Sequence, residues 1–260
     1  MKVATLNLRN DKDRWGERFD LVVQEILREL PDIIALQEVA LSIHQAESIA
    51  DAVNSQLTEL PYQVSVAKCW GPEITLGEAI LSRYPKTRSE ETMLPGQYDG
   101  QPSGRVAHLV SVSDGTRQVN VVNTHLHHLP KDDEAVRLLQ IQFLLDWLFK
   151  LESENAPWIF MGDMNAKPDS RTVQYISKRF KSAYRTYHGT EPEYTFPTPL
   201  VAQKESCRSD WYEPRAIDYI FFSATALRVE EAHLAFTHSH SKDHTLFPSD
   251  HFGLVATFGW

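Results

Sequence analysis

The sequence predicts a layered α/β sandwich, with two β-sheets packed face to face and helices on the outside. Three observations carry that prediction. Several β-rich segments follow one another without intervening helices, which disfavours a simple alternating βαβ fold. A few long amphipathic segments are available to cover the sheets. The 260 residues, 42% of them hydrophobic, run without a Gly/Ser, Pro or like-charge linker, so residues 1–260 read as a single domain.

In chain order, Val3, Thr5 and Asn7 share one face of a first strand. "RFDLVVQEILREL" then sets Phe19, Val22, Val23, Ile26, Leu27 and Leu30 at helical spacing, and Pro31 stops the helix. "DIIALQEV" is a buried strand ending in polar residues, followed by a helix over about 43–60 that Pro61 closes. "YQVSVAK", "EAILSRYP", "GRVAHLVSVS" and "RQVNVVNTHL" alternate or are rich in β-branched residues, and Gly, Asp and Pro punctuate them as strands. A long helix follows over about 134–151, with a broad apolar face from Val136 to Leu148. "PWIFMGD" is the next strand. A shorter helix near Thr172 to Phe180, the strands "AIDYIFFS" and "VEEAHLAF", and a last strand "HFGLVATFG" complete the chain.

The formal charge of −9 argues against a protein that holds nucleic acid through general basicity, because phosphate binding rewards Lys and Arg. It is compatible with an acidic metal site. Cys69 and Cys207 have no metal or disulfide spacing, which sets a reducing compartment as the expectation. The N-terminal "MKVATLNLRN" lacks the continuous apolar core of a signal peptide, and nothing later reaches the length of a membrane span. A soluble, cytoplasmic protein is expected.

One event recurs: an apolar β-rich run ends in polar groups. Asn7 follows "VATL", Glu38 follows "IIALQ", His125 follows "VNVVNT", and Asp163 with Asn165 follows "WIFMG". Asp218 and the pair Asp250 and His251 stand at the opposite boundary, just before "YIFF" and "FGLV". Singly, each reads as a turn former, a cap or a surface residue. Together they offer hard oxygen ligands suited to Mg²⁺ or Mn²⁺, and a histidine able to handle charge near neutral pH. The absence of cysteine from every cluster counts against structural zinc.

"TLNLR", "PDIIALQEV", "GEAILSRYP", "NTHLHH", "GDMNAKPDS", "AIDYIFFS" and "PSDHFGLVATF" occur in the order and at the approximate intervals of the endonuclease/exonuclease/phosphatase superfamily. The chain resembles that family over nearly its whole length. The resemblance implies a four-layer α/β/β/α sandwich and a divalent-metal-dependent phosphoesterase. Its substrate would be a phosphodiester, whether nucleic acid, a lipid head group or a small phosphoester, with phosphomonoester hydrolysis as the alternative. A non-catalytic binding module that has kept the fold is the reading from another class.

Carried over residue by residue, the resemblance makes Glu38 the principal metal carboxylate, with Asn7 and Asp250 at or near the ion. Asp163 prepares the attacking water, and Asn165 holds the water or phosphate. His251 meets a phosphate oxygen, with Asp218 orienting it and favouring its charged form. Glu78 and His125 correspond to a carboxylate and histidine pair of the deoxyribonuclease branch, and Arg105 to a phosphate contact. Two departures stand out: many relatives carry Asn at the position of Glu78, and "RAID" sets Arg215 one residue farther from Asp218 than the family's Arg-Ile-Asp.

Other features keep two readings. "THSHSKDH", with His238, His240 and His244, is a transition-metal tract or a solvated loop near the site's mouth. Arg14, Trp15 and Arg18 clamp phosphate and stack on a base, or they form a helix entry with Trp15 packed and the arginines exposed. His127 and His128 are given no catalytic part. Trp70, Trp211 and Tyr212 line a groove or cover the sheet ends.

Overall fold

The computed structural model describes residues 1–69, 75–98, 100–129, 134–151, 156–202, 212–224 and 226–260; Trp70, Cys207 and Trp211 fall outside them. The elements are β1 (Lys2–Asn7), α1 (Trp15–Glu29), β2 (Ile33–Ala40), α2 (Gln45–Asn54), β3 (Gln63–Lys68), β4 (Leu76–Ser82), β5 (Lys86–Met93) and the short pair β6 (Gln97–Tyr98) and β7 (Gln101–Pro102). There follow β8 (Val106–Ser113), β9 (Gln118–His125), α3 (Ala135–Leu151), β10 (Trp158–Asp163), α4 (Arg171–Ile176), β11 (Lys181–Ser182), α5 (Ala183–His188), α6 (Pro199–Ala202), β12 (Asp218–Phe222), β13 (Arg228–Ala235) and β14 (Gly253–Gly259).

Two six-stranded mixed sheets result, ordered β13-β14-β1-β2-β4-β3 and β11-β12-β10-β9-β8-β5. Each contains one parallel pair, β1 with β2 and β9 with β10, flanked by antiparallel strands. A parallel pair needs a long crossover, and α1 and α3 supply the two. The carboxyl ends of both parallel pairs meet at one rim, where β4, β12 and β14 begin.

Strand alternation divides the apolar side chains among three layers. Ala4, Leu6, Ile34 and Leu36 pack outward on α1 and α2 through Val22, Ile26, Ile49 and Val53. Val3, Ile33, Ala35 and Ile80 face Val110, Val121, Ile159, Met161 and Ile220 between the sheets. Leu109, Val122, Phe160 and Phe221 pack outward on Ile141, Leu144, Leu148 and Val173 of α3 and α4. These three cores make the expected four-layer α/β/β/α sandwich. Among the described residues, no helix is long and apolar enough to cross a membrane.

The elements differ from expectation in several places: the helix expected near Thr172 to Phe180 ends at Ile176, and β11, α5 and α6 carried no expectation. The second helix ends at Asn54 rather than near residue 60, because the Asn54 side chain leaves the helix to exchange hydrogen bonds with the Tyr62 backbone, at 2.7 and 3.0 Å. β5, "KTRSEETM", has no apolar alternation and is not legible as a strand. It is a polar edge strand held only by β8, the composition that protects a sheet edge from further pairing.

Candidate active site

Period-two alternation explains which polar residues converge. Asn7 continues the inter-sheet face of Val3, Glu78 that of Ile80, His125 that of Val121, Asp163 that of Ile159 and Met161, and Asp218 that of Ile220. All five are at most 2% exposed and gather at the shared rim. His125, Asp163 and Asp218 sit directly opposite one another on β9, β10 and β12.

Glu38 has the wrong parity for that face, since Leu36 points to the helices. A bulge corrects it: the β2–β4 register breaks between Leu36 and Val39, and Glu38 adopts φ +52°. The opening is stabilised from the other sheet, where the Asn123 amide donates to the Leu36 and Ala79 carbonyls, both at 2.9 Å. Gln37 donates to Thr5 Oγ1 at 3.0 Å and to Asn123 Oδ1 at 2.7 Å. This buried polar bridge ties the two sheets together immediately beneath the site.

Asn7 Nδ2 reaches Asp163 Oδ2 at 3.1 Å and Glu38 Oε1 at 3.4 Å, while its Oδ1 accepts from the Arg9 backbone at 2.9 Å. The amide is thereby oriented as a clamp between two carboxylates, and direct metal ligation through its oxygen would require a flip. Asn10, at φ +42°, donates to Glu38 Oε2 at 3.1 Å. Glu78 receives the Cys69 thiol at 3.9 Å, and its buried Oε2 has no partner among the described residues. Burial, reinforced by the Glu38 and Asp163 charges and partly offset by Arg105, holds Glu78 well above the usual carboxylate range. No hydrogen bond or ion pair joins Glu78 to His125 among the described residues, so the pair implied by the resemblance is not formed.

Asp163 accepts from the Asn165 backbone at 2.8 Å. Burial first, then the Asp218 charge, raises it above the ordinary aspartate range, against the opposing pull of His251. Gly162 allows this placement: at φ +138°, an added Cβ would lie 1.9 Å from the Thr124 carbonyl oxygen. Asn165, in the left-handed region at φ +47°, donates from Nδ2 to the Leu126 carbonyl at 3.0 Å and to His125 Nε2 at 2.8 Å. His125 Nε2 thus faces both the Asn165 amide and Asp163 Oδ2, the latter at 3.4 Å, while its Nδ1 lies 4.0 Å from Glu38 Oε1. Burial, with Arg105 and three neighbouring imidazoles, keeps it neutral.

His251 Nδ1 lies 2.9 Å from Asp218 Oδ2, which also accepts from Thr195 Oγ1 at 2.6 Å. Burial opposes charge on the ring, but Asp218, Asp250 and Asp163 override it and lift His251 to about 10. One oxygen or nitrogen from each of Asp163, Asp218 and His251 lies within 4.8 Å of the others, close enough to share an ion. An imidazolium donating to Asp218 has no lone pair for a metal, so the residues of this structure that could hold one lie on the Glu38 side. There the donors are oxygens, burial and neighbouring charge raise Glu78, and its Oε2 is buried without a hydrogen-bond partner among the described residues, as is Asp218 Oδ1 on the other side. That chemistry fits a hard divalent cation.

Asp250 does not face Glu38 through a hydrogen bond; its Oδ2 pairs with Arg9 Nη1, and its Oδ1 accepts from Ser249 Oγ at 3.2 Å. Arg105 stands on the cleft wall, 3.3 Å from His128 Nδ1, and burial together with Arg105 lowers His127 and His128 to about 4. These groups line a cleft of about 490 Å³ together with Arg215 and Phe196. Arg215 stacks on Phe196 at 4.7 Å, and Tyr212 packs on the same ring.

The proposed phosphate clamp in the first loop does not exist. Arg18 is fully buried and spends all five donors on the carbonyls of Leu8, Asn10, Lys12, Asp13 and Pro248. The alternative with exposed arginines fails for the same residue, although Trp15 does pack on the core. Arg14 is exposed and pairs with Glu17 and Asp243. His238 pairs with Glu25, and the histidine tract forms no metal cluster among the described residues and does not line the cleft. Arg9, Asn10, Gln37, Asn123 and Thr195 carried no expectation. Only Asn123 had a visible signal, an amide two residues before His125 within an apolar strand.

The chain belongs to the endonuclease/exonuclease/phosphatase family, whose model matches residues 4–251. It is similar to Nocturnin of Xenopus laevis, 29% identical over 269 residues that cover 95% of this chain and 65% of that protein. It is also similar to 2′,5′-phosphodiesterase 12 of Mus musculus, 26% identical over 174 residues covering 60% of this chain and 28% of that protein. The chain thus spans less than two thirds of the length of these curated relatives. The human Nocturnin catalytic domain with bound sulfate has the same fold, with a TM-score of 0.77 over 100% of this chain and 93% of that one at 24% identity.

Proposed function

We propose that the chain is a divalent-metal-dependent phosphodiesterase in which water attacks phosphorus. The observation that carries this reading is the convergence on one rim of the Asp163 carboxylate, the Asp218-backed His251, the Asn165 amide and the acidic Glu38–Glu78 pocket. Asp163 is the base that prepares water, and a carboxylate raised toward neutrality is a better base than an ordinary one. Asn165 has both amide hydrogens committed, so its oxygen is the group left to accept from that water. His251 donates Nδ1–H to Asp218 and keeps Nε2–H for a phosphate oxygen. Arg105 adds charge from the cleft wall. Glu38 is the anchoring ligand for Mg²⁺ or Mn²⁺, which would supply positive charge to the phosphate and the leaving oxygen. Diester cleavage is favoured by the open cleft and by similarity to a protein named as a 2′,5′-phosphodiesterase.

The test is a panel of DNA, RNA, 2′,5′-linked oligonucleotides, cyclic nucleotides, sphingomyelin, inositol phosphates and chromogenic mono- and bis-esters. Each is assayed with Mg²⁺ and Mn²⁺, for the native chain and Glu38→Gln. We expect diester turnover that a chelator abolishes, and a metal titration displaced to higher concentration in the variant. Full turnover after exhaustive metal removal ends the reading. Preferential monoester cleavage replaces it with phosphatase activity, and no turnover of any substrate supports a binding module.

A further inference from the structure

Arg9 lies two residues past β1 at φ +56° and lines the cleft. Its Nη1 pairs with Asp250 Oδ2 and its Nε with Asp13, and the Asp250 side chain is only 4% exposed. Both Asp250 oxygens are therefore satisfied, one by a guanidinium and one by the Ser249 hydroxyl. On the other side the half-buried Glu38 carboxylate lines the cleft, and behind it Glu78 Oε2 is buried without a hydrogen-bond partner among the described residues, as is Asp218 Oδ1 behind His251. Arg105 offsets the Glu78 charge and Arg9 also faces Glu38, but among the described residues a guanidinium hydrogen-bonds Asp250 and none hydrogen-bonds Glu38 or Glu78.

We propose that Arg9 is a built-in cation that occupies the Asp250 side of the site, so that this chain binds a single divalent ion, on the Glu38 side. The proposal rests on the metal-dependent reading above. A guanidinium cannot be deprotonated at physiological pH and presents a fixed fork to carboxylates, so it neutralises Asp13 and Asp250 permanently. Removing it takes the guanidinium from Asp250 and Asp13, an oxygen set suited to a hard cation, with the buried Arg18 still adding charge nearby. The left-handed backbone at Arg9 and Asn10 places neighbouring residues on opposite jobs: Arg9 on Asp250, and Asn10 on Glu38.

The experiment is calorimetric titration of Mn²⁺ into metal-free protein, with Mn²⁺ electron paramagnetic resonance as a second count. Native chain, Arg9→Met, Arg9→Lys and Arg9→Met/Asp250→Asn are compared, each checked for folding by circular dichroism. The expected stoichiometries are one for the native chain and Arg9→Lys, two for Arg9→Met with a weaker second site, and one again for the double variant. Should Arg9→Met fail to fold, the native and Arg9→Lys counts still decide, because two ions on either overturns the proposal. A single ion on folded Arg9→Met also overturns it, and a raised KM in that case assigns Arg9 to substrate instead. No ion on the native chain removes the metal-dependent reading itself, whereas two ions leave that reading intact and remove only the role of Arg9.

Discussion

Asp218→Asn isolates the pairing that sets the charge on His251. Lifting the ring from 6.5 to about 10 amounts to roughly 5 kcal/mol in favour of the charged form, at about 1.36 kcal/mol per unit. Asp218, Asp250 and Asp163 share that effect, and Asp218 contributes twice, as a charge and as the hydrogen-bond acceptor at 2.9 Å. Its share is about 2–3 kcal/mol, whose loss lowers the ring pKa but leaves the ring charged at neutral pH; loss of the anchored electrostatic donor predicts a fall in kcat/KM of about a hundredfold or more. The substitution keeps size and leaves an acceptor for Thr195. The assay is kcat/KM on a chromogenic diester with Mn²⁺, together with an NMR titration of the His251 ring. His251→Ala should lose a comparable amount, and the double variant little more than the poorer single. Because the folded pKa of His251 lies above its unfolded value, the pair stabilises the fold fully below pH 6.5 and loses that contribution as pH rises through about 10. The difference in Tm between native chain and variant should therefore close between those limits. Additive kinetic losses, or an unchanged ring pKa in Asp218→Asn, would refute the pairing.

Asp163→Asn keeps shape and removes the base, so kcat should fall about a hundredfold or more with KM little changed; lost binding with normal turnover reassigns the residue. In the native chain, a bound cation favours the ionised carboxylate, so the acid limb of the pH–rate profile should move to lower pH as Mn²⁺ is raised. An immobile limb would separate Asp163 from the metal. Asn123→Leu strands the Leu36 and Ala79 carbonyls and the Gln37 amide, a loss of roughly 3 kcal/mol or more. It should lower Tm and weaken Mn²⁺ binding together, and unchanged metal affinity would show that the bridge does not hold the Glu38 bulge.

The rim was legible because its residues terminate apolar strands, and period two then fixes the face on which Asn7, His125 and Asp163 emerge. Glu38 was legible as a motif but not as geometry. Counted from Leu36 it points at the helices, and only a bulge braced from the other sheet turns it into the site. Such bracing is invisible along the chain, since Asn123 and Gln37 are 86 residues apart. Arg9 and Arg18 show the same limit. They stand nine residues apart in one polar stretch, yet one lines the cleft while the other is consumed by five backbone carbonyls. Contacts with Asp250 and Pro248, more than two hundred residues away, make that difference.

The net charge of −9 gave a partial guide for a related physical reason. Charge on the whole surface governs long-range attraction, whereas chemistry depends on the few charges inside the cleft. There Arg9, Arg105, Arg215 and the His251 imidazolium stand among Glu38, Asp163 and Asp250, with Asp218 buried behind His251. Arg9 and the His251 imidazolium pair with carboxylates on the Asp250 and Asp218 side, while burial first, then Glu38 and Asp163 charge against the pull of Arg105, raises Glu78, and burial with Asp218 charge raises Asp163. A cleft whose buried walls carry that imbalance stores unfavourable free energy that a cation can relieve, and relief of that kind is binding energy for the cation. On the proposed metal-dependent reading, the same buried carboxylates that make the fold costly to assemble would favour a cation on the Glu38 side, and the inter-sheet bridge of Thr5, Gln37 and Asn123 offsets part of that cost directly beneath it.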